Sequence, residues 1–66
     1  MRILALDRAQ KVIAHYADLV EVEDEEDVVV DMLADMIQWC TYRKVDFGRS
    51  LETAMMHANA EMNDED

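Results

Sequence analysis

The segment from residue 27 to residue 43 constrains the fold most, because its apolar residues recur with helical spacing on more than one side. At about 100° per residue the segment has a broad apolar face, an acidic stripe opposite it, and an apolar patch (Val28, Met32 and Trp39) beside the acids. The broad apolar face consists of Val29, Val30, Leu33, Met36, Ile37 and Cys40. The acidic stripe consists of Asp24, Asp27, Asp31 and Asp35, with Gln38 at its end. A helix on a single core needs an apolar arc of only about 100°, so we predict a central helix with neighbours on two sides.

Two further amphipathic helices are predicted, one on each side of this segment. Residues 4–20 and 47–62 each repeat apolar residues three and four positions apart, which is the spacing of a single helix face. The alternative for residues 2–6 is a short strand, but no second strand could pair with it except in a dimer mate. We therefore predict an all-α three-helix bundle in one domain (1–66), with helices at about 3–21, 25–44 and 47–62 and a frayed acidic tail at 63–66.

Acidic residues are expected to form the helix starts. The connection EVEDEED (21–27) contains neither glycine nor proline, and Asp24 is the natural N-cap of the second helix. Asp46 is the corresponding residue for the third helix. A calcium loop of the EF-hand type is not expected in the acidic connection, because the required glycine and the terminal bidentate glutamate are missing.

The short length of the chain calls for additional stabilisation. Sixty-six residues form at most one small core, and domains of this size often need a disulfide, a metal or a partner. Cys40 is the only cysteine, and with His15 and His57 it cannot supply the roughly four ligands of a structural zinc site. We predict a homodimer or a tight complex with another protein.

The net charge of −10 limits the possible partners. It disfavours direct binding to nucleic acid and to anionic membranes, because those affinities depend on basic residues. No secretory or membrane-spanning segment is recognisable, and the single thiol fits a reducing cytoplasm. The acidity either serves solubility or offers carboxylates to a basic partner protein in place of nucleic-acid phosphates.

No catalytic, metal or cofactor site is expected. Cys40 lies on the apolar face without a neighbour that activates a thiol, and a packing role explains it better than catalysis. His15 and His57 lie on the polar sides of different helices. A glycine-rich phosphate loop is impossible, since Gly48 is the only glycine.

The acidic stripe contains three carboxylates at successive helical turns, those of Asp27, Asp31 and Asp35. Their mutual repulsion is tolerated if solvent, a basic partner or a magnesium ion neutralises them, and solvation needs nothing further. Beside them, Trp39 is the best single anchor for a partner protein, because tryptophan is enriched at binding hot spots. The alternative for Trp39 is ordinary burial in the core.

The second half of the chain resembles known proteins. The pattern consists of Asp31-Met-Leu-Ala-Asp35, Trp39-Cys40, Val45-Asp46-Phe47 and Leu51-Glu52 with Ala54. It resembles small uncharacterised proteins of phages, plasmids and bacterial genomes. More distantly, it is similar to the C-terminal half of the MazG-like all-α nucleotide pyrophosphohydrolases, where a final amphipathic helix follows an acidic one. The resemblance implies a helical fold and an origin in a phage or mobile element.

The residues that carry activity in the MazG-like family are not matched here. That family binds metal with Glu-x-x-Glu on one helix and Glu-x-x-Asp on the next. Three residues before Asp31 stands Val28, and three before Asp35 stands Met32. The resemblance therefore argues against hydrolase activity.

These patterns favour a non-catalytic protein–protein interaction module. Its expected working surfaces are the acidic stripe and the apolar patch, acting in the cytoplasm of the producing cell or of a phage host. A more specific form of this hypothesis is that the chain inhibits a host protein by imitating nucleic acid. The alternative is a degenerate MazG-like metal- or nucleotide-binding protein, which predicts stabilisation by magnesium.

Overall fold

A computed structural model describes residues 3–63 as three α-helices joined by two short connections. The helices are α1 (Ile3–Val20), α2 (Glu25–Arg43) and α3 (Phe47–Asn63). Within this range there is no strand, and residues 3–6 are helical. The all-α prediction is confirmed, and each helix end lies within one residue of its predicted position. The predicted frayed tail begins at Asn63, which is the last residue of α3; its other residues, 64–66, lie outside the described range.

The starts of α2 and α3 are capped by the aspartates that the sequence indicates. The Asp24 side chain accepts hydrogen bonds from the backbone N–H groups of Glu26 and Asp27, at 3.0 and 3.2 Å. The Asp46 side chain accepts a 2.9 Å bond from the backbone N–H of Arg49. Each carboxylate thus satisfies backbone donors that have no partner inside the helix.

The end of α2 is a left-handed turn made without glycine. Lys44 has φ 59° and ψ 37°, and its N–H is directed at the Thr41 carbonyl. The next residue, Val45, donates to the Cys40 carbonyl at 2.8 Å. This is the Schellman arrangement, in which a left-handed residue satisfies the last carbonyls of a helix. Glu21, with φ 56°, occupies the same position after α1.

The three helices form an open bundle with α2 in the centre. Both α1 and α3 pack against α2, but among the described residues no Cα of α1 lies within 8 Å of a Cα of α3. The molecule measures 36 × 29 × 15 Å, and its short dimension is close to that of one helix with its side chains, about 10–12 Å. Its radius of gyration is 13.4 Å, compared with about 11 Å for a compact domain of this length.

The core of the described chain consists of Val28 and Cys40, which are 1% and 6% exposed. The prediction that α2 is a central helix with neighbours on two sides is confirmed. Within the chain, however, α1 and α3 leave the broad apolar face of α2 largely uncovered, since its members other than Cys40 are 37–58% exposed. The reason is the placement of α1, which lies against the side of α2 that carries Val28 and Asp35. Within residues 3–63, no helix combines the length and hydropathy needed to cross a bilayer.

Candidate functional site

An open groove of about 540 Å³ lies between α1 and α2. Each helix presents residues three or four positions apart, so that one face of α1 meets one face of α2. The lining residues are Lys11, Val12, His15, Tyr16 and Leu19 of α1, and Met32, Asp35, Met36 and Trp39 of α2. Apolar side chains dominate this lining, and the thioethers of the two methionines can adapt to different occupants.

One polar contact joins the two walls of the groove. The Tyr16 hydroxyl donates a hydrogen bond to the Asp35 carboxylate. This bond raises the pKa of Tyr16 to about 12, with smaller contributions from desolvation and from the negative charges of Asp35 and Asp31. The protonated hydroxyl is the donor of this bond at neutral pH, where it links α1 to α2.

Trp39 lies at the surface, at one end of the groove. Its side chain is 57% exposed, which excludes the alternative of ordinary core burial. The Arg43 guanidinium carbon lies over the indole at 5.8 Å from the ring centroid, within the range of a cation–π interaction. The indole is thus oriented by its own helix while much of its surface stays accessible.

The four acids of the predicted stripe have different environments. Asp24 is engaged as the N-cap of α2, and Asp27 is exposed in the first turn. Asp31 is partly buried, and Asp35 is bound by Tyr16. The repulsion along the stripe is therefore relieved in part by a hydrogen-bond donor of the chain itself, an explanation that the spacing of the acids did not suggest.

The three residues of the apolar patch also differ in their exposure. Trp39 and the partly buried Met32 line the groove. Val28 is 1% exposed, so within the folded chain it offers almost no surface to a partner. A helical wheel shows on which side of α2 these residues lie, but it does not show which of them α1 covers.

The contribution of α1 to the groove was missed by the sequence reasoning. Helical spacing puts Tyr16 on the same face of α1 as Ile13 and Ala17, and a hydroxyl on such an apolar face normally requires a hydrogen-bond partner. That requirement was the available signal, and Asp35 meets it. Leu19 and His15 carry no comparable signal, since exposed leucine and histidine are ordinary in a surface helix.

The side chains of the described residues do not form a recognisable metal-binding cluster. In the part of the chain from 3 to 63, no three His, Cys, Asp or Glu side chains are grouped so that they could hold a metal. Cys40 is buried, as predicted. The apolar lining of the groove suits it to binding by shape and apolar contact.

Comparison of the chain with protein families, with curated proteins and with solved structures finds no match. The resemblance to small phage proteins and to MazG-like enzymes therefore rests on the sequence pattern alone and stays a prediction.

Proposed function

We propose that this chain is a small, acidic, non-catalytic protein–protein interaction module that works in the cytoplasm. The observation that carries the proposal is the exposed Trp39 at the end of the open groove. An exposed indole beside flexible methionines is the composition of a binding hot spot rather than of an ordinary helix surface. By its resemblance to phage and plasmid proteins, we propose that the module binds and inhibits a host protein.

We further propose that the partner presents basic residues next to an apolar anchor. The anchor occupies the groove at Met32 and Trp39, while its basic residues face the acidic stripe at Asp27 and Asp31. The charge of −10 favours such a partner and accelerates its approach. A nucleic-acid-binding protein has this surface chemistry, and the carboxylates would then stand in for phosphates.

The test is site-specific photo-cross-linking in producing cells. A photoreactive amino acid at position 39 is expected to capture a polypeptide other than this chain. The matched control carries it at Met56, which is 69% exposed on α3 and outside the groove. Adducts only with copies of this chain, or equal capture from both positions, would contradict the proposal.

The captured protein is then purified and its affinity measured. Trp39→Ala is expected to weaken binding at least about tenfold, the effect of a hot-spot residue, and Met56→Ala is expected to leave it unchanged. If the carboxylates imitate phosphates, the double variant Asp27→Asn/Asp31→Asn must also bind the captured protein more weakly. Unchanged inhibition by that double variant would show that these carboxylates do not imitate phosphates.

A further inference from the structure

A second apolar depression adjoins the groove, shares Val12, Met32 and Met36 with it, and extends to α3. One opening of about 550 Å³ lies between α1 and α2, and another of about 440 Å³ lies between α1 and α3. Both are lined by Ala5 and Ala9, so they are continuous along α1. We call the two openings the trough. Its other walls include Met36 of α2 and Ala58 of α3.

The surface that the chain leaves open is as large as a stable dimer interface. A compact monomer of 7.7 kDa exposes about 4,300 Å², whereas this chain exposes 5896 Å². The excess, taken over the whole chain, is about 1,600 Å², and a pair of chains that covered this much on each copy would bury about 3,000 Å², within the range of obligate homodimers. Folded domains also have at least two packed layers, and this molecule has the thickness of one.

The charges of the trough fit a second copy of this chain better than a basic partner. Although the chain carries −10 overall, the fully charged residues that line the trough are one cation, Arg8, and one anion, Glu61. The lining is thus neutral, and two identical surfaces can meet there without a like-charge penalty. Opposite charges on the two walls are also what a self-complementary, two-fold interface requires.

We infer that a second copy of this chain occupies the trough, and that the resulting two-fold dimer completes the bundle. The dimer places a second helical layer over α1, α2 and α3, with the small side chains of Ala5 and Ala9 at the closest approach. Leu19 and Trp39, which line the groove, do not line the trough. Along α1, Leu19 is about 21 Å from Ala5 at 1.5 Å per residue. This inference does not depend on the proposed function.

The experiment is sedimentation equilibrium of the full chain and two matched variants. The wild-type chain is expected at twice its 7.7 kDa mass. Ala9→Glu places a charge in the trough, whereas Ala14→Glu makes the same change at an exposed position of α1 about 140° away on the helix. We expect Ala9→Glu to raise the dimer dissociation constant by at least about 100-fold, the effect of leaving a buried charge unpaired, and Ala14→Glu to leave it unchanged.

Two further variants provide a second test of the trough and a control outside it. If Ala9→Glu is not helical by circular dichroism, Ala58→Glu tests the opposite wall of the trough in the same way. Trp39→Ala, which affects the proposed partner site, is expected to leave the dimer mass unchanged. A wild-type chain that is folded and monomeric overturns the inference, and so does a dimer that tolerates both Ala9→Glu and Ala58→Glu.

Discussion

The Tyr16 hydroxyl donates a hydrogen bond to the Asp35 carboxylate across the contact between α1 and α2. These two residues are 19 positions apart in the chain, and their contact joins the facing sides of the two helices. The bond links one wall of the groove to the other. Because the Tyr16 hydroxyl titrates, the effect of pH on stability reports on this contact between α1 and α2.

This bond predicts a dependence of stability on alkaline pH. The pKa of Tyr16 rises from 10.0 to about 12 in the folded chain, so folding favours the protonated hydroxyl. Its contribution is complete below pH 10 and is lost as the pH rises through about 12. In urea titrations at increasing pH, the difference in unfolding free energy between wild type and Tyr16→Phe should be constant below pH 10 and shrink above it.

The same contact predicts which carboxylate controls the pKa of Tyr16. Asp35→Ala removes the hydrogen bond and the nearer charge, and should return the pKa towards 10.0. Asp31→Ala removes only the smallest contribution and should lower the pKa slightly. Ultraviolet titration of the phenolate, with Tyr16→Phe as the blank, measures both. Equal shifts in the two variants would contradict the observed pairing.

The N-cap of α2 predicts a stability difference between two substitutions at one position. Asp24→Ala removes the acceptor for the backbone N–H groups of Glu26 and Asp27 and should cost about 1 kcal/mol. Asp24→Asn keeps an acceptor and removes the charge, so it should cost only a few tenths of a kcal/mol from the helix dipole. Urea denaturation distinguishes them, and equal losses would show that the charge, not the cap, stabilises α2.

The left-handed Lys44 predicts a stabilising substitution. A residue with a Cβ pays a steric penalty at φ 59°, and glycine does not, so Lys44→Gly should raise the unfolding free energy by about 0.5–1 kcal/mol. Lys44→Ala is the control, because it removes the charge and keeps the Cβ. A gain in the alanine variant would assign the effect to the lost lysine side chain instead of the backbone.

Salt should act in opposite directions on the two proposed interfaces. The trough is neutral within a chain of charge −10, so screening should reduce repulsion between copies and favour the dimer. Binding of a basic partner at Asp27 and Asp31 should weaken as salt rises, because screening reduces attraction. Sedimentation and affinity measurements over one salt series separate the two. A dimer that dissociates with salt would contradict the apolar trough.

Local sequence determined the helices and their starts. Asp24 and Asp46 cap helices through bonds to N–H groups two or three residues away, and such contacts depend only on neighbouring residues. The spacing of apolar residues likewise fixes which side chains share a face. These features were predictable because the forces that set them act within one or two turns of helix.

Only the tertiary structure decided which face of α2 is covered. By pattern, the face around Val29 and Ile37 is the larger apolar surface, yet α1 packs on the side of Val28 and leaves that face exposed. A left-handed turn at Glu21 and the Tyr16–Asp35 contact accompany this placement of α1. Neither is visible in a helical periodicity, because rotation of one helix about another depends on contacts between residues far apart in the chain.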